Sequence, residues 1–236
     1  MRNADVDERL DQAARAPNAL PAALLERIVE SVGPAVPPVR PLGSTPVLSA
    51  GLFLIVAVVA LLGAARVGFQ GVEALSFAQR LTIFGTLALL AALGAARTVL
   101  EWIPGSAAPV AGPAMLAAAT GALLVVFALV FHDYSMTQFV SAGVNCLLAG
   151  LLHAAVAAPF LWWLLRRGYA VNAVSAGLVA GALAGLAGVS LLELHCTKLE
   201  APHVLVWHTL VVPVSAVIGA GAGWLLLQSP PGTGSR

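Results

Sequence analysis

The chain contains two cysteines, Cys146 and Cys196, and the second lies among residues that could assist thiol or metal chemistry. His195 precedes Cys196 directly, and His203 follows it seven positions later. Thiolate sulfur and imidazole nitrogen are ligands that suit soft or borderline ions such as Zn²⁺ and Cu⁺. One interpretation is therefore a soft-metal site formed by Cys146, Cys196, His195 and His203.

Two other interpretations of the thiols stay open from the residues alone. Cysteines that face an oxidising compartment form disulfides, and a bridge here would join positions fifty residues apart. Free cysteines also serve as small buried apolar residues. Because the chain has neither a Cys-x-x-Cys pair nor a Gly-x-Ser-x-Gly motif, we expect neither a thiol oxidoreductase nor a serine hydrolase, and we predict that the protein is not an enzyme.

The elements that carry these residues are predicted to be membrane-spanning helices. Of the 236 residues 59% are apolar and only 10% are charged, which is typical of a membrane protein. A helix of about 20 apolar residues crosses the hydrocarbon layer with all its backbone groups paired. Six stretches meet this length: 47–66, 80–97, 110–131, 144–165, 171–192 and 204–227.

The predicted fold class is all-α, a polytopic six-helix transmembrane bundle with a short helical tail before it. The tail covers residues 1–46, the transmembrane domain covers 47–227, and a disordered carboxyl-terminal tail covers 228–236. The start of the chain is polar and lacks the short apolar core of a signal peptide, so we expect the tail to be retained.

The distribution of positive charge predicts that the amino terminus is cytoplasmic. With that orientation nine basic residues lie inside, namely Arg2, Arg9, Arg15, Arg27, Arg40, Arg97, Arg166, Arg167 and Arg236. Three lie outside: Arg66, Arg80 and Lys198. Cys146 at the start of span four and Cys196 just after span five then share the outer face, together with His132, His203 and His208.

The tail contains a second predicted helix with one apolar face. The stripe on this face recurs at helical spacing and consists of Leu20, Leu24, Leu25, Ile28, Val29 and Val32. A proline-rich spacer over 34–41 follows it. Since about 30 residues of helix cannot form a stable core alone, the stripe must be covered, either by the membrane surface or by a cytoplasmic partner.

Small residues recur at four-residue spacing in the last three spans, and such ladders predict close helix packing. They are Gly150, Ala154 and Ala158 in span four, Gly177, Gly181 and Gly185 in span five, and Gly219 and Gly223 in span six. The spans carry no acidic or basic residue near the midplane, which argues against an ion-coupled carrier, and we expect His153 to be a packing residue. The net charge of +1, with both signs mixed, argues against nucleic-acid binding.

The carboxyl-terminal half contains a series of short segments with a recognisable pattern. They are Gly143–Leu148, Pro159, Leu164–Gly168, Ala176–Gly177, Ala180–Gly181, Leu183–Gly188, Leu194–Cys196 and Val206–His208. About 80 residues with this pattern resemble the NrsF-type membrane anti-sigma factors, with both cysteines in register. Val39–Leu42 resembles the juxtamembrane segment of that family.

The resemblance implies a regulator in the bacterial inner membrane. Its cytoplasmic tail would bind an extracytoplasmic-function sigma factor through Leu20, Leu24, Leu25, Ile28 and Val29. Cys146 and Cys196 would sense a periplasmic stress such as a heavy metal or an oxidant, and the bundle would pass this signal to the tail. The alternative from the residues is a small membrane transporter or a metal-handling membrane protein.

Overall fold

The computed structural model describes residues 43–103, 106, 110–165 and 168–228, together with positions 23, 26, 27 and 30. The chain divides into two units, Met1–Pro41 and Leu42–Arg236. Within the described residues the chain is helical and contains no strand, which confirms the all-α fold class. Of the tail predicted to be disordered, residues 228–236, only Gln228 is described, as the last residue of a helix; the rest lies outside the described residues.

Six of the helices are long and apolar enough to cross a membrane, as the sequence predicted. In chain order the elements are α1 Thr45–Val67, α2 Gln70–Ala74, α3 Phe77–Glu101, α4 Gly112–Val130, α5 Phe139–Leu165, α6 Ala173–His195, α7 Ala201–His203, a π-helical turn Val204–His208, and α8 Thr209–Gln228. The short α7, the π-helical turn and α8 run on without a break as the sixth span, Ala201–Leu225.

Several helices extend beyond the boundaries predicted from hydropathy. The second span was expected to begin at residue 80, but α3 begins at Phe77, because Ser76 and Gln79 form a capping box that satisfies its first amides. The fifth span was expected to end at 192 and continues to His195. Hydropathy marks the part of a helix that lies in hydrocarbon, whereas caps and packing determine where the helix itself stops.

The central element of the bundle is α6, which contacts every other spanning helix. In its most apolar stretch 61% of the residues are buried inside the protein, against 17% in α4 at the periphery. The centre of the bundle is therefore the fifth span in the chain, and the remaining spans surround it.

Glycines allow the backbone of α6 to touch that of its neighbours. A Cβ added at Gly185 would lie 2.9 Å from Cα of Val212 in α8, and Cβ atoms at Gly177 or Gly188 would meet the backbone of Gly219 or Gly150. The predicted close packing of the last three spans is thus confirmed.

One member of the predicted ladders does not take part in this packing. Gly150 and Ala154 are buried, but Ala158 is exposed. Steps of four residues drift around a helix with a period of 3.6, so the buried stripe of α5 moves to Ala157 and Leu161 instead.

The two ends of the bundle are closed by different segments and different hydrogen bonds. At one end the Cys196 segment meets α2 and the start of α7, where the amide of Ala201 donates to the carbonyl of Asp133. At the other end the amide of Tyr169 donates to the carbonyl of Trp102, and Ser175 contacts Glu101. The first span begins at this second end.

Two glycines of α8 provide a matched test of the close packing. We predict that Gly219→Ala lowers the stability of the bundle, because its Cβ would overlap the backbone of α6, whereas Gly221→Ala has open space around it. Overpacking costs about 1–3 kcal/mol. Thermal unfolding in detergent should show a lower midpoint for the first variant and an unchanged or higher midpoint for the second. Equal midpoints would contradict the packing.

Candidate functional site

The two thiols meet at one end of the bundle. Sγ of Cys146, on the second turn of α5, lies 3.5 Å from Sγ of Cys196, the residue that follows α6. Both cysteines are free; Cys196 is buried and Cys146 is half-buried. The two cysteines predicted to share one face thus lie at the same end of the bundle, with their sulfurs next to each other.

Two histidines of the sixth span complete a compact cluster with the thiols. Nε2 of His203 lies 3.7 Å from Sγ of Cys196, and the rings of His203 and His208 meet edge to face at 5.3 Å. One donor atom from each of Cys146, Cys196, His203 and His208 lies within 4.8 Å of the others. We call these four residues the thiol–histidine cluster.

The π-helical turn explains why both histidines face the thiols. In an α-helix residues five apart point about 140° away from each other. The turn Val204–His208 has the wider i→i+5 hydrogen bonding of a π-helix, which brings His208 back over the face that carries His203. Such π segments are frequent at functional sites.

A buried carboxylate orients His208. Oε1 of Glu193 lies 2.6 Å from Nδ1 of His208, and both residues are at most 2% exposed. Glu193 is three positions before Cys196, so both lie on the same face at the end of α6. The other ring nitrogen of His208, Nε2, is buried without a hydrogen-bond partner among the described residues.

Neighbouring segments hold the end of α6 in place. The helix α2 packs so closely on it that a Cβ at Gly71 would lie 2.7 Å from the carbonyl oxygen of Cys196 and 2.8 Å from that of Glu193. Gly143 on α5 leaves room for the ring of Trp207, which also contacts Phe139. The cluster therefore lies in a fixed frame contributed by four elements.

The structure changes the ligand set that was predicted from the sequence. His195 lies outside the cluster, because it follows Glu193 by two positions on the helix and its Nδ1 lies 3.2 Å from Oε1 of Gln70. His208 takes its place. His153 hydrogen-bonds to the carbonyl of Ala149 at 3.0 Å and packs against Gly63, as expected of a packing residue.

The surroundings of Cys196 favour its neutral thiol. The hydrogen bond with Cys146 and burial both raise the pKa of Cys196 above its ordinary value, and they outweigh the opposite effect of His203 and His208. This sulfur is therefore held as a thiol rather than as a thiolate.

The residues predicted to bind the sigma factor, Leu20, Leu24, Leu25, Ile28 and Val29, lie outside the described residues. The described positions between them, Ala23, Glu26, Arg27 and Glu30, are helical and exposed. Their spacing of three, one and three places them on one face of a helix.

The chain matches one family model over residues 29–228, most of its length, and the description of that family is negative regulator of sigma F. The chain belongs to the NrsF family. No curated protein and no solved structure matches it. By family the protein is thus a negative regulator of a sigma factor, and its partner is a sigma factor.

The predicted ligand set of this NrsF-family site contained neither Glu193 nor His208. The sequence placed His208 at the outer face with the thiols, and Glu193 lies one residue beyond the predicted end of the fifth span. The spacing of three between Glu193 and Cys196 indicates a shared helix face, and this signal was available. No comparable signal places His208 on the same face as His203, because residues five apart do not share a face of an α-helix.

The distance between the sulfurs predicts that they can be joined. We expect mild oxidation of the full-length protein with diamide to form a Cys146–Cys196 bridge within one chain, since little movement is needed to bring the sulfurs into bonding distance. Mass spectrometry should show the loss of two hydrogens, and Cys146→Ser should abolish it. Complete alkylation of both thiols after oxidation would contradict the geometry.

Proposed function

We propose that this protein is an anti-sigma factor of the bacterial inner membrane that holds an extracytoplasmic-function sigma factor on its cytoplasmic amino-terminal tail. A periplasmic signal at Cys146 and Cys196, a metal or an oxidant, releases the sigma factor. The observation that carries the proposal is the family match over residues 29–228, which makes a sigma factor the partner.

The position of the first span supports the assignment of sensing and sigma binding to opposite sides of the membrane. The thiol–histidine cluster lies at one end of the bundle, and α1 begins at the other, where Gly51 packs against Leu164 near the end of α5. The residues that lead directly into α1, Gly43 and Ser44, therefore lie at the end of the bundle away from the thiols. With the orientation predicted from the basic residues, the tail is cytoplasmic and the thiols face the periplasm.

The sigma-binding surface is proposed from the apolar stripe of the tail. The family match begins at residue 29, so the assignment of Leu20, Leu24, Leu25, Ile28 and Val29 is carried by their helical spacing. The exposed face of this helix has two acidic residues and one basic residue, Glu26, Glu30 and Arg27. This face lacks the basic character of helices that lie on membranes, which favours a protein partner.

The central helix α6 is the proposed link between the two ends. Its carboxyl end carries Glu193 and leads into Cys196. At its amino end Oγ of Ser175 donates to Oε1 of Glu101 at 2.7 Å, and Asn172 caps the helix. Glu101 also pairs with Arg97, which donates to the carbonyl of Val110. A shift of α6 at the thiols would therefore act on a partly buried polar network at the far end.

Regulation requires that the two states of the cluster bind the sigma factor with different free energies. Moving the partner from nearly all bound to nearly all free takes a difference of about 5.5 kcal/mol. One disulfide contributes about 2–4 kcal/mol. A bridge alone falls short of full release, so the signal must engage more of the cluster than two sulfurs.

The second function predicted from the sequence, metal handling by a small membrane protein, is favoured by the same cluster. Binding of the sigma factor separates the two, because a metal-handling protein has no need of it. No role in the proposal requires a catalytic residue.

We predict that charges on the apolar stripe abolish sigma binding. The variant Leu24→Asp with Ile28→Asp should lower recovery of the sigma factor at least tenfold, since buried apolar anchors dominate such interfaces. The measurement is co-purification of the full-length protein with each small sigma factor of the source bacterium. Ala23→Asp with Arg27→Asp has the same spacing on the exposed face and should retain binding. If both pairs retain binding equally, or no sigma factor is recovered with the unmodified chain, the proposal is wrong.

We predict that loss of the Ser175 hydroxyl weakens the release of the sigma factor after oxidation of the thiols, without weakening sigma binding at rest. The Ser175→Ala protein should bind the sigma factor at rest but release less of it after diamide treatment, because α6 no longer acts on Glu101. Ser141→Ala removes an exposed hydroxyl at the thiol end and serves as control. Release from the Ser175 variant equal to that from the unmodified protein would exclude this link.

A further inference from the structure

The thiol–histidine cluster has the donor atoms of a tetrahedral metal site. It offers two sulfurs and two imidazole nitrogens, the set found in closed Cys₂His₂ zinc sites. Two metal–sulfur bonds of about 2.3 Å at the tetrahedral angle separate the sulfurs by about 3.8 Å, and a sulfur and a nitrogen ligand by about 3.5 Å. The structure has 3.5 Å between the sulfurs and 3.7 Å between Cys196 and His203.

The buried ring nitrogen of His208 that does not contact Glu193 is available to a ligand at the same place. His208 is 1% exposed, and its Nε2 has no hydrogen-bond partner among the described residues. Leaving a buried polar atom unpaired is costly, and such atoms are rare in folded proteins. A cation within reach of Nε2 and of the thiols would satisfy it.

Glu193 supplies the outer contact that metal-binding histidines need. Its Oε1 lies 2.6 Å from Nδ1 of His208, so Nδ1 is engaged by the carboxylate and Nε2 is the nitrogen left for a ligand. Carboxylates in this position fix the ring and strengthen the ligand. Glu193 itself is 2% exposed, and a buried carboxylate needs positive charge nearby.

We propose that Cys146, Cys196, His203 and His208 bind one divalent ion of the zinc group, Zn²⁺ or Cd²⁺, with Glu193 holding His208 in place. Nitrogen and sulfur donors exclude Mg²⁺, Ca²⁺ and Mn²⁺ as preferred occupants. Binding replaces two thiol protons, which pass to solvent, so that one M²⁺ enters as two H⁺ leave and no electron is transferred. The role of the ion as signal rests on the proposed function; its binding does not.

The test is a titration of the purified full-length protein in detergent with Cd²⁺ alone and with Co²⁺ alone, without a sigma factor. We expect one ion per chain, ultraviolet sulfur-to-cadmium absorption, and visible Co²⁺ absorption of tetrahedral intensity. Bound Cd²⁺ should also protect both thiols of the unmodified chain from alkylation. A stoichiometry other than one, or unprotected thiols, would overturn the proposal.

Variants distinguish this ligand set from others. Glu193→Gln should weaken Cd²⁺ binding by roughly 10- to 100-fold, the usual effect of losing the residue that orients a ligand. His208→Gln, which removes a ligand, should weaken it by at least as much. His195→Gln changes a neighbouring histidine outside the cluster and should leave affinity unchanged. Thermal unfolding without metal checks that each variant is folded, and protection of the thiols in the unmodified chain remains decisive if one is not.

The outcomes keep the site and the regulatory function apart. Undiminished binding in His208→Gln, or loss of binding in His195→Gln, would exclude the proposed ligands whatever the sigma factor does. Binding of Cd²⁺ with the expected variant pattern supports the site even if no sigma factor is recovered with the tail. In that case the failure belongs to the proposed function alone.

Discussion

Backbone contact between α6 and its neighbours α5 and α8 sets the position of every group in the thiol–histidine cluster. In a membrane the lipid is as apolar as the side chains, so helices associate through close packing rather than through exclusion of water. Glycines at 177, 181, 185 and 188 let α6 approach to van der Waals contact with both neighbours. This approach brings the Cys196 end of α6 beside Cys146 of α5 and beside the histidines that precede α8. A cluster whose residues lie on α5, directly after α6 and on the sixth span is thereby held together.

The energetics favour a metal over a disulfide as the stronger state of this cluster. Structural zinc sites contribute apparent binding free energies of about 10–16 kcal/mol, well above the ~2–4 kcal/mol of one bridge. Only a fraction of this metal-binding free energy would be needed to move the sigma factor from nearly all bound to nearly all free. A metal bound by the four residues would also act on more of the bundle, because it would join α5, the end of α6 and the sixth span at one point, whereas a bridge would join only the first two. Glu193 extends this connection, since it lies on α6 yet determines the orientation of a histidine on the sixth span.

The sequence predicts most of the fold, because the signals are local. Six apolar stretches, their small-residue ladders and the meeting of the two cysteines at one end all follow from spacing and length. The centre of the site is different. His208 faces the thiols only because five residues adopt a π-helical turn, and Glu193 belongs to the site only because α6 continues past its apolar stretch. Hydropathy reports neither event, since both depend on packing against α2 and α5. Leu20 to Val29 illustrate the converse case, in which the pattern is clear but no described contact tests it.

Sigma-factor binding across a sealed membrane tests the central claim most directly, namely that the state of the thiols at one end sets the affinity at the other. The full-length protein is reconstituted in vesicles, the sigma factor is supplied on the tail side, and Cd²⁺ is added either to the thiol side or to the tail side. The account predicts release of the sigma factor when the ion is on the thiol side only, with no release from Cys146→Ser. Equal sigma affinity with and without the ion on the thiol side, while the ion is demonstrably bound, would contradict it.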